Sequence, residues 1–307
     1  MITALAGGTG AAKFLRGLVR LIEPDQLTVI GNTGDDIDLW GLRISPDLDT
    51  VTYTLAGLID DTKGWGVSDD SFQCLRAMAS LGRETWFTLG DRDLATHLVR
   101  TESLSRGLPL STVTDAIRRD LGVRCRILPM SDLPVRTKIL TPGGWLTFQE
   151  FFVREKAQVE ILDTVYEGAE AARPAPGVLE AIREARAVVL CPSNPITSIG
   201  PILAVPGVTE ALAETPATVV AVSPIVAGAA VSGPAGALMA AKGLPVSAAG
   251  VARAYQGWLD VLILDRRDQG LAPELLGLGV SPAVADTLMS DRGREVDLAR
   301  AVLRAIG

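Results

Sequence analysis

Between Gly31 and Thr54 the chain reads GNTGDDIDLWGLRISPDLDTVTYT, and Asp35, Asp36, Asp38 and Asp49 crowd within fifteen residues of it. Carboxylates so close repel one another unless a cation sits among them, and a divalent metal on hard oxygen ligands is the chemistry this pattern suggests. The competing reading is a solvated acidic loop whose Asp residues form turns and cap helices. A second stretch, Gly7-Gly8-Thr9-Gly10-Ala11-Ala12-Lys13, follows the apolar run Ile2 to Ala6 and precedes helical spacing at Phe14, Leu15, Leu18 and Val19. Strand, glycine turn and helix in that order let backbone N–H groups and the positive helix end approach a diphosphate, with Lys13 one turn further in. The turn departs from G-x-G-x-x-G and from the Walker A loop, so a tight strand-helix connection is its alternative. A third stretch, Cys191-Pro192-Ser193-Asn194-Pro195-Ile196-Thr197-Ser198, brackets polar side chains between prolines after another apolar run. Such a rigid turn suits a base or a phosphate; a well-made helix cap is the bland alternative.

Each of these stretches closes a strand candidate. The runs Ile2–Ala6, Leu27–Ile30, Arg124–Leu128, Ala187–Leu190, Thr218–Val222 and Val261–Leu264 alternate with helical patterns, which implies a parallel sheet whose turns share one rim. The fold expected is α/β: a Rossmann-like, mostly parallel sheet with helices on both faces and a helical insertion. Residues 1–45 and 124–307 would form the sheet domain and 46–123 the insertion, with helices over Thr50–Leu58, Ser71–Leu81, Leu94–Arg106 and Leu110–Leu121. Asp69-Asp70 can cap the second of these. Thr141-Pro142-Gly143-Gly144 marks a hairpin, and Glu170–Pro176 reads as an exposed linker.

A formal net charge of −7 and a pI near 4.9 argue against a nucleic-acid partner, which would need a basic face. No apolar run reaches the roughly 18 residues of a membrane span, and Met1 to Ala6 carries no basic leader, so a soluble, cytoplasmic protein is expected. The three cysteines, Cys74, Cys125 and Cys191, are far apart and offer no metal-ligand spacing. His97 is the only histidine, and its place four residues after Asp93 suits a structural pair on one helix face. No Ser-His-Asp or Cys-His arrangement emerges. A phosphate loop, an acidic loop and Ser/Asn/Thr turns on one rim suit transfer at phosphorus assisted by a divalent ion.

Together with Pro46-Asp47-Leu48-Asp49-Thr50, Leu89-Gly90-Asp91-Arg92-Asp93-Leu94-Ala95-Thr96-His97, Leu128-Pro129-Met130-Ser131-Asp132, Phe148-Gln149-Glu150 and Ser232-Gly233-Pro234-Ala235-Gly236, these motifs resemble the 2-phospho-L-lactate transferase family of coenzyme F-420 biosynthesis, in family order from residue 1 to about 290. The resemblance implies transfer of a phospho-three-carbon acid (lactate, enolpyruvate or glycerate) from a guanylyl-diphospho donor to the ribityl hydroxyl of a deazaflavin, with release of GMP. It implies Mg²⁺ on Asp35 and Asp49 with Asp36 as neighbour, and catalytic roles for Asp49, which would approach the acceptor hydroxyl, and Asp35. Thr88, Asp91, Arg92, Met130, Ser131 and Asp132 would lie near the deazaflavin. Gly8, Thr9, Gly10, Lys13, Ser193, Asn194, Thr197 and Ser198 would hold the nucleotide, and the enzyme would be a homodimer. On this reading Asp38 and Asp47 fall back to structural roles. Two other classes compete: an NAD-type oxidoreductase on the same glycine turn, and a non-catalytic nucleotide-sugar-binding regulatory protein.

Overall fold

Runs such as Ile2–Ala6 and Leu27–Gly31 are buried at every position, which suits strands covered by helices on both faces. In the structure, a computed structural model describing residues 1–307, seven strands form the central sheet. They are β1 (Ile2–Ala6), β2 (Leu27–Gly31), β3 (Arg126–Pro129), β4 (Ala187–Leu190), β5 (Thr218–Val222), β6 (Val261–Asp265) and β7 (Ser281–Ala285). All neighbours pair in parallel, in the order β7-β6-β5-β4-β1-β2-β3. The chain therefore leaves β1 toward one edge and returns through β4 toward the other. The gap between the carboxyl ends of β1 and β4 is the topological switch point, where open α/β sheets bind ligands.

Alternate strand residues feed two cores. Leu5, Ile30, Val188 and Leu190 face one layer with Ile182, Ile199, Leu212 and Leu238. Ala4, Ala6, Val29 and Val189 face the other with Phe14, Leu15, Leu18, Leu298 and Val302. That second layer joins α1 (Gly8–Leu18) to the C-terminal helix Arg292–Ala305. Arg16 Nε donates to Glu295 Oε2 at 2.8 Å in this buried contact.

The acidic stretch holds more regular structure than a loop. Ile37–Leu39 and Leu42–Ile44 pair as an antiparallel hairpin, and α2 begins at Pro46 and runs to Leu55. The helix expected from Thr50 thus starts four residues early, because proline suits the first helical position and the Asp residues suit a first turn. Helices α3 (Gln73–Ser80), α4 (Asp91–Ser105) and α5 (Leu110–Asp120) follow. The Pro142-Gly143 hairpin pairs Arg136–Thr141 with Gly144–Thr147, and Asp163–Glu167 adds a third strand.

Two expectations change. The stretch Glu170–Pro176 is exposed at Glu170, Ala171, Arg173 and Pro176 but is no free linker, since Ala172 and Ala175 are buried in the first core. Strand β7 is not legible in the sequence, because it is a half-exposed edge strand containing Pro282, with neither a continuous apolar run nor a clean alternation. No single helix is long and apolar enough to cross a membrane.

The contact of α1 with the C-terminal helix yields a stability prediction. A Cβ on Gly17 would lie 2.3 Å from the Glu295 carbonyl oxygen. Alanine normally improves a helix interior by about 1 kcal/mol, but backbone against backbone cannot yield as a side chain can. Gly17→Ala should destabilise by roughly 1–3 kcal/mol, read as a lower midpoint in urea unfolding; an unchanged or higher midpoint contradicts this packing.

Candidate active site

At the switch point the turns after β1 and β4 close on each other. A Cβ on Gly10 would sit 2.3 Å from the Pro192 carbonyl oxygen, so only glycine permits the approach. Ser193 Oγ donates to the Gly7 carbonyl at 2.8 Å. The Asn194 side-chain oxygen accepts from Ile196 N at 2.9 Å, capping the turn of helix that begins at Pro195. Asn32, at the end of β2, ties the third turn in: its Nδ2 donates to the Thr197 carbonyl at 3.0 Å and to Asp47 Oδ2 at 2.9 Å. Above these turns opens a cleft of about 520 Å³. Gly8, Thr9, Gly10, Lys13, Ser193, Asn194, Thr197 and Ser198 all line it, as do Asp35, Asp47, Asp49 and Asp93. Lys13 is the only lysine or arginine among its walls.

The carboxylates have different surroundings. Asp35 is buried, its Oδ1 has no hydrogen-bond partner, and its backbone carbonyl accepts from Gln149 Nε2 at 3.1 Å. Burial first, and the neighbouring Asp47 charge second, hold its carboxyl well above the usual range. Asp47 is raised to about 6 by burial, against the opposing hydrogen bond from Asn32. Asp36 turns away from the cleft: Ser45 Oγ donates to it at 2.9 Å, and burial raises it to about 7 against the pull of Arg136. Asp38 is exposed on the hairpin and pairs with Arg43 at 2.6 Å. Asp49 is bound through both oxygens by Arg100, with Arg100 Nη1 at 3.0 Å from Oδ2. Asp47 and Asp49 diverge because two residues on a helix lie about 200° apart.

Arg100 belongs to a buried chain of polar groups. Its Nη1 lies 3.2 Å from His97 Nδ1, and His97 Nε2 lies 3.2 Å from Asp93 Oδ1 without hydrogen-bond alignment. Tyr53 OH donates to that same Asp93 oxygen at 2.8 Å. Asp93 and His97 thus form the pair expected on one helix face, yet both also line the cleft beside Tyr53.

Comparison with known proteins places this geometry. The family described as 2-phospho-L-lactate transferase CofD matches residues 2–289. The chain belongs to that family. It is 48% identical to the phosphoenolpyruvate transferase of Streptomyces griseus, over 98% of this chain and 97% of that one. It is 41% identical to the 2-phospho-L-lactate transferase of Methanocaldococcus jannaschii, over 100% and 98% of the two chains. A solved Bacillus halodurans protein of the UPF0052 family shares the fold, with a TM-score of 0.66 and 18% identity over 98% of each chain. The protein is therefore a transferase of the CofD type on an α/β scaffold.

Several residues that the family resemblance puts near the acceptor stand outside this transferase's cleft. Asp91 accepts from Ser71 Oγ and from Gln73 N and Cys74 N, both at 3.0 Å, and so caps α3. Asp70 reciprocates at α4, accepting from Arg92 N at 2.8 Å and Asp93 N at 3.0 Å, and it caps that helix instead of α3. Arg92 Nη1 reaches the Ser68 carbonyl at 2.9 Å. Met130 lies in the first core, Ser131 Oγ accepts from Leu133 N at 3.0 Å, and Asp132 accepts from Ser111 N at 2.6 Å at the start of α5. Thr88 does line the cleft, beside Phe87 and Leu89. Sequence reasoning gives no role to Asn32, Tyr53, Arg100 or Gln149 and only a structural one to Asp47. Asn32, Asp47 and Gln149 sit inside the recognised motifs, which was the signal for them, whereas Tyr53 and Arg100 each lie three residues beyond one.

Two outcomes follow from the divergent carboxylates. Asp47→Asn should lower transfer by at least about 10- to 100-fold, whereas Asp38→Asn should leave it unchanged; equal rates for the two variants would contradict the division. The raised Asp36 carboxyl destabilises the ionised protein. For a group raised above its unfolded value the stability is fully present below about pH 4 and is lost as pH rises through about 7. Asp36→Asn should therefore flatten the fall in melting temperature between about pH 5 and pH 8; a slope equal to wild type would contradict the burial of an ionisable group there.

Proposed function

We propose that this transferase moves a phospho-three-carbon acid from a guanylyl-diphospho donor to the ribityl hydroxyl of the deazaflavin Fo, releasing GMP, in coenzyme F-420 biosynthesis. The observation that carries the reading is the pairing, at one switch point, of an anion-accepting glycine turn with buried carboxylates and a single lysine. A diphosphate laid on Gly8 to Gly10 would meet the helix N-terminus and Lys13, while Asp35 and Asp47 would repel it. A divalent cation resolves that conflict, since Mg²⁺ is commonly held by one or two carboxylates together with substrate phosphates.

The residues present fit such an ion. Asp35 keeps a buried oxygen without a partner beside Asp47, whereas both oxygens of Asp49 are taken by Arg100. Asp35 and Asp47 would hold Mg²⁺, in place of the Asp35, Asp36 and Asp49 set that the family resemblance implies. Its chemistry there would be to spread the charge of the diphosphate.

The sheet order divides the remaining walls. Asp49, Tyr53, Phe87 to Leu89, Asp93 and His97 follow the β2 side, while Ser223-Pro224, Ser232 to Ala235 and Thr287 follow β5 and β7. Phe148 and Phe152 stack at 5.4 Å between ring centroids, and both line the cleft. Planar aromatic faces suit a deazaflavin ring, and the β5–β7 side offers polar turns to the nucleotide. The acceptor oxygen would attack the phosphorus that carries the three-carbon acid, the bond to the bridging oxygen of GMP would break, and the acceptor proton would be lost. Asp49 lies where it can orient that hydroxyl, and positioning supplies most of what such transfers need.

Among the three acids, enolpyruvate is favoured by the Streptomyces relatives at 45 to 48% identity; lactate is the second reading, from the archaeal relatives at 41 to 43%. Purified protein with Fo, Mg²⁺ and each donor in turn should give GMP and, fastest with the enolpyruvyl donor, a product two hydrogens lighter than the lactyl one by mass. Absence of product with every donor would overturn the transfer reading. Chelation should abolish turnover, and retention of full rate in chelator would remove the cation from it.

A further inference from the structure

Arg100 is among the largest side chains buried in the molecule, and it projects from α4 to meet a carboxylate on α2. A guanidinium is a planar fork matched to the two oxygens of a carboxylate, a geometry a lysine ammonium cannot reproduce. Here the fork occupies both oxygens of Asp49, while Asp47, on the same first turn of α2, is left to Asn32 and Asp35. A buried pair of this kind breaks at high cost when one partner is removed, so its presence inside a cleft wall needs a reason beyond stability.

The rest of the chain fixes Arg100 in turn. Its Nη1 lies 3.2 Å from His97 Nδ1, and Nε2 of that ring lies 3.2 Å from Asp93 Oδ1. Asp93 is anchored by Tyr53 from α2 and by the α4 cap that Asp70 provides. Each contact crosses between α2 and α4 or steadies one that does. The carboxylate of Asp49 is thereby held at one place along the cleft and withheld from any cation bound at Asp35 and Asp47.

Resting on the transfer reading, we propose that Arg100 is a positioning residue for the reaction: by engaging both oxygens of Asp49 it reserves that carboxylate for the acceptor hydroxyl and keeps it out of the cation seat.

The test has two arms. In the first, Arg100→Lys should lower kcat by about 10- to 100-fold with the donor KM within about twofold of wild type, because Arg100 does not line the cleft and the donor's nucleoside would lie on the β5–β7 side. In an Asp49→Asn background the same substitution should cost nothing further, since Arg100 acts through Asp49. Losses that multiply in the double variant, or a wild-type kcat in Arg100→Lys, overturn the proposal.

The second arm needs no turnover. Mn²⁺ titrated alone into the purified protein, followed by electron paramagnetic resonance, should bind Arg100→Lys several-fold more tightly than wild type, because the released Asp49 adds a carboxylate to the seat. That gain should vanish in Asp49→Asn/Arg100→Lys. Unchanged Mn²⁺ affinity in Arg100→Lys overturns the proposal. Failure of the wild-type protein to form product with any donor counts instead against the transfer reading, and the Mn²⁺ arm still decides the role of Arg100.

Discussion

The carbonyl of Pro192 lies 2.3 Å from where a side chain on Gly10 would begin, and the cleft depends on that approach. It brings the turn after β1 against the turn after β4, so that the start of α1 and the Asn194-capped turn at Pro195 face one space. Asn32 then carries the end of β2 into the same place, its Nδ2 donating to the Thr197 carbonyl in the turn after β4 and to Asp47 at the start of α2. Three strand ends of a parallel sheet are thus locked into a single rim, with Asp47 as the one acidic side chain in the lock.

Onto that rim the chain loads carboxylates, and their surroundings sort them. A buried carboxylate without a partner is costly, and the free Oδ1 of Asp35 beside Asp47 is a cost borne at a site of chemistry. Asp36 and Asp38, two residues apart, are engaged by Ser45 and Arg43 and so belong to the hairpin. Asp49 is set apart by its Arg100 fork. One acidic stretch therefore supplies an unpartnered buried carboxylate beside Asp47, a hairpin and the Arg100-bound Asp49, distinguished by which direction each residue points.

Much of this was legible in the sequence. The six strand runs that were named all lie in the sheet, and their turns share the rim as alternation of strand and helix requires. Strand β7 was hidden by its exposure and by Pro282. The divergence of Asp47 and Asp49 was also hidden: it turns on the start of α2 at Pro46, which sets the direction of each carboxylate, and helix starts are poorly fixed by apolar spacing. His97 illustrates the same limit. Its pairing with Asp93 followed from spacing on one helix, but its contact with Arg100 and its place in the cleft wall depend on how α4 packs against α2. Asp91 and Asp132, which the resemblance puts near the acceptor, cap helices here, a duty that the same residue types perform in any fold.

The central claim is that a cation held by Asp35 and Asp47 brings a guanylyl diphosphate onto the glycine turn at the switch point. A crystal structure with guanosine diphosphate and Mn²⁺, phased for the anomalous signal of the metal, tests it most directly. The account predicts an anomalous peak against the carboxylates of Asp35 and Asp47, with the diphosphate on the N–H groups of Gly8 to Gly10 and the Arg100–Asp49 pair intact. A metal bound to Asp49 with Arg100 displaced, or a nucleotide seated away from the glycine turn, would contradict it.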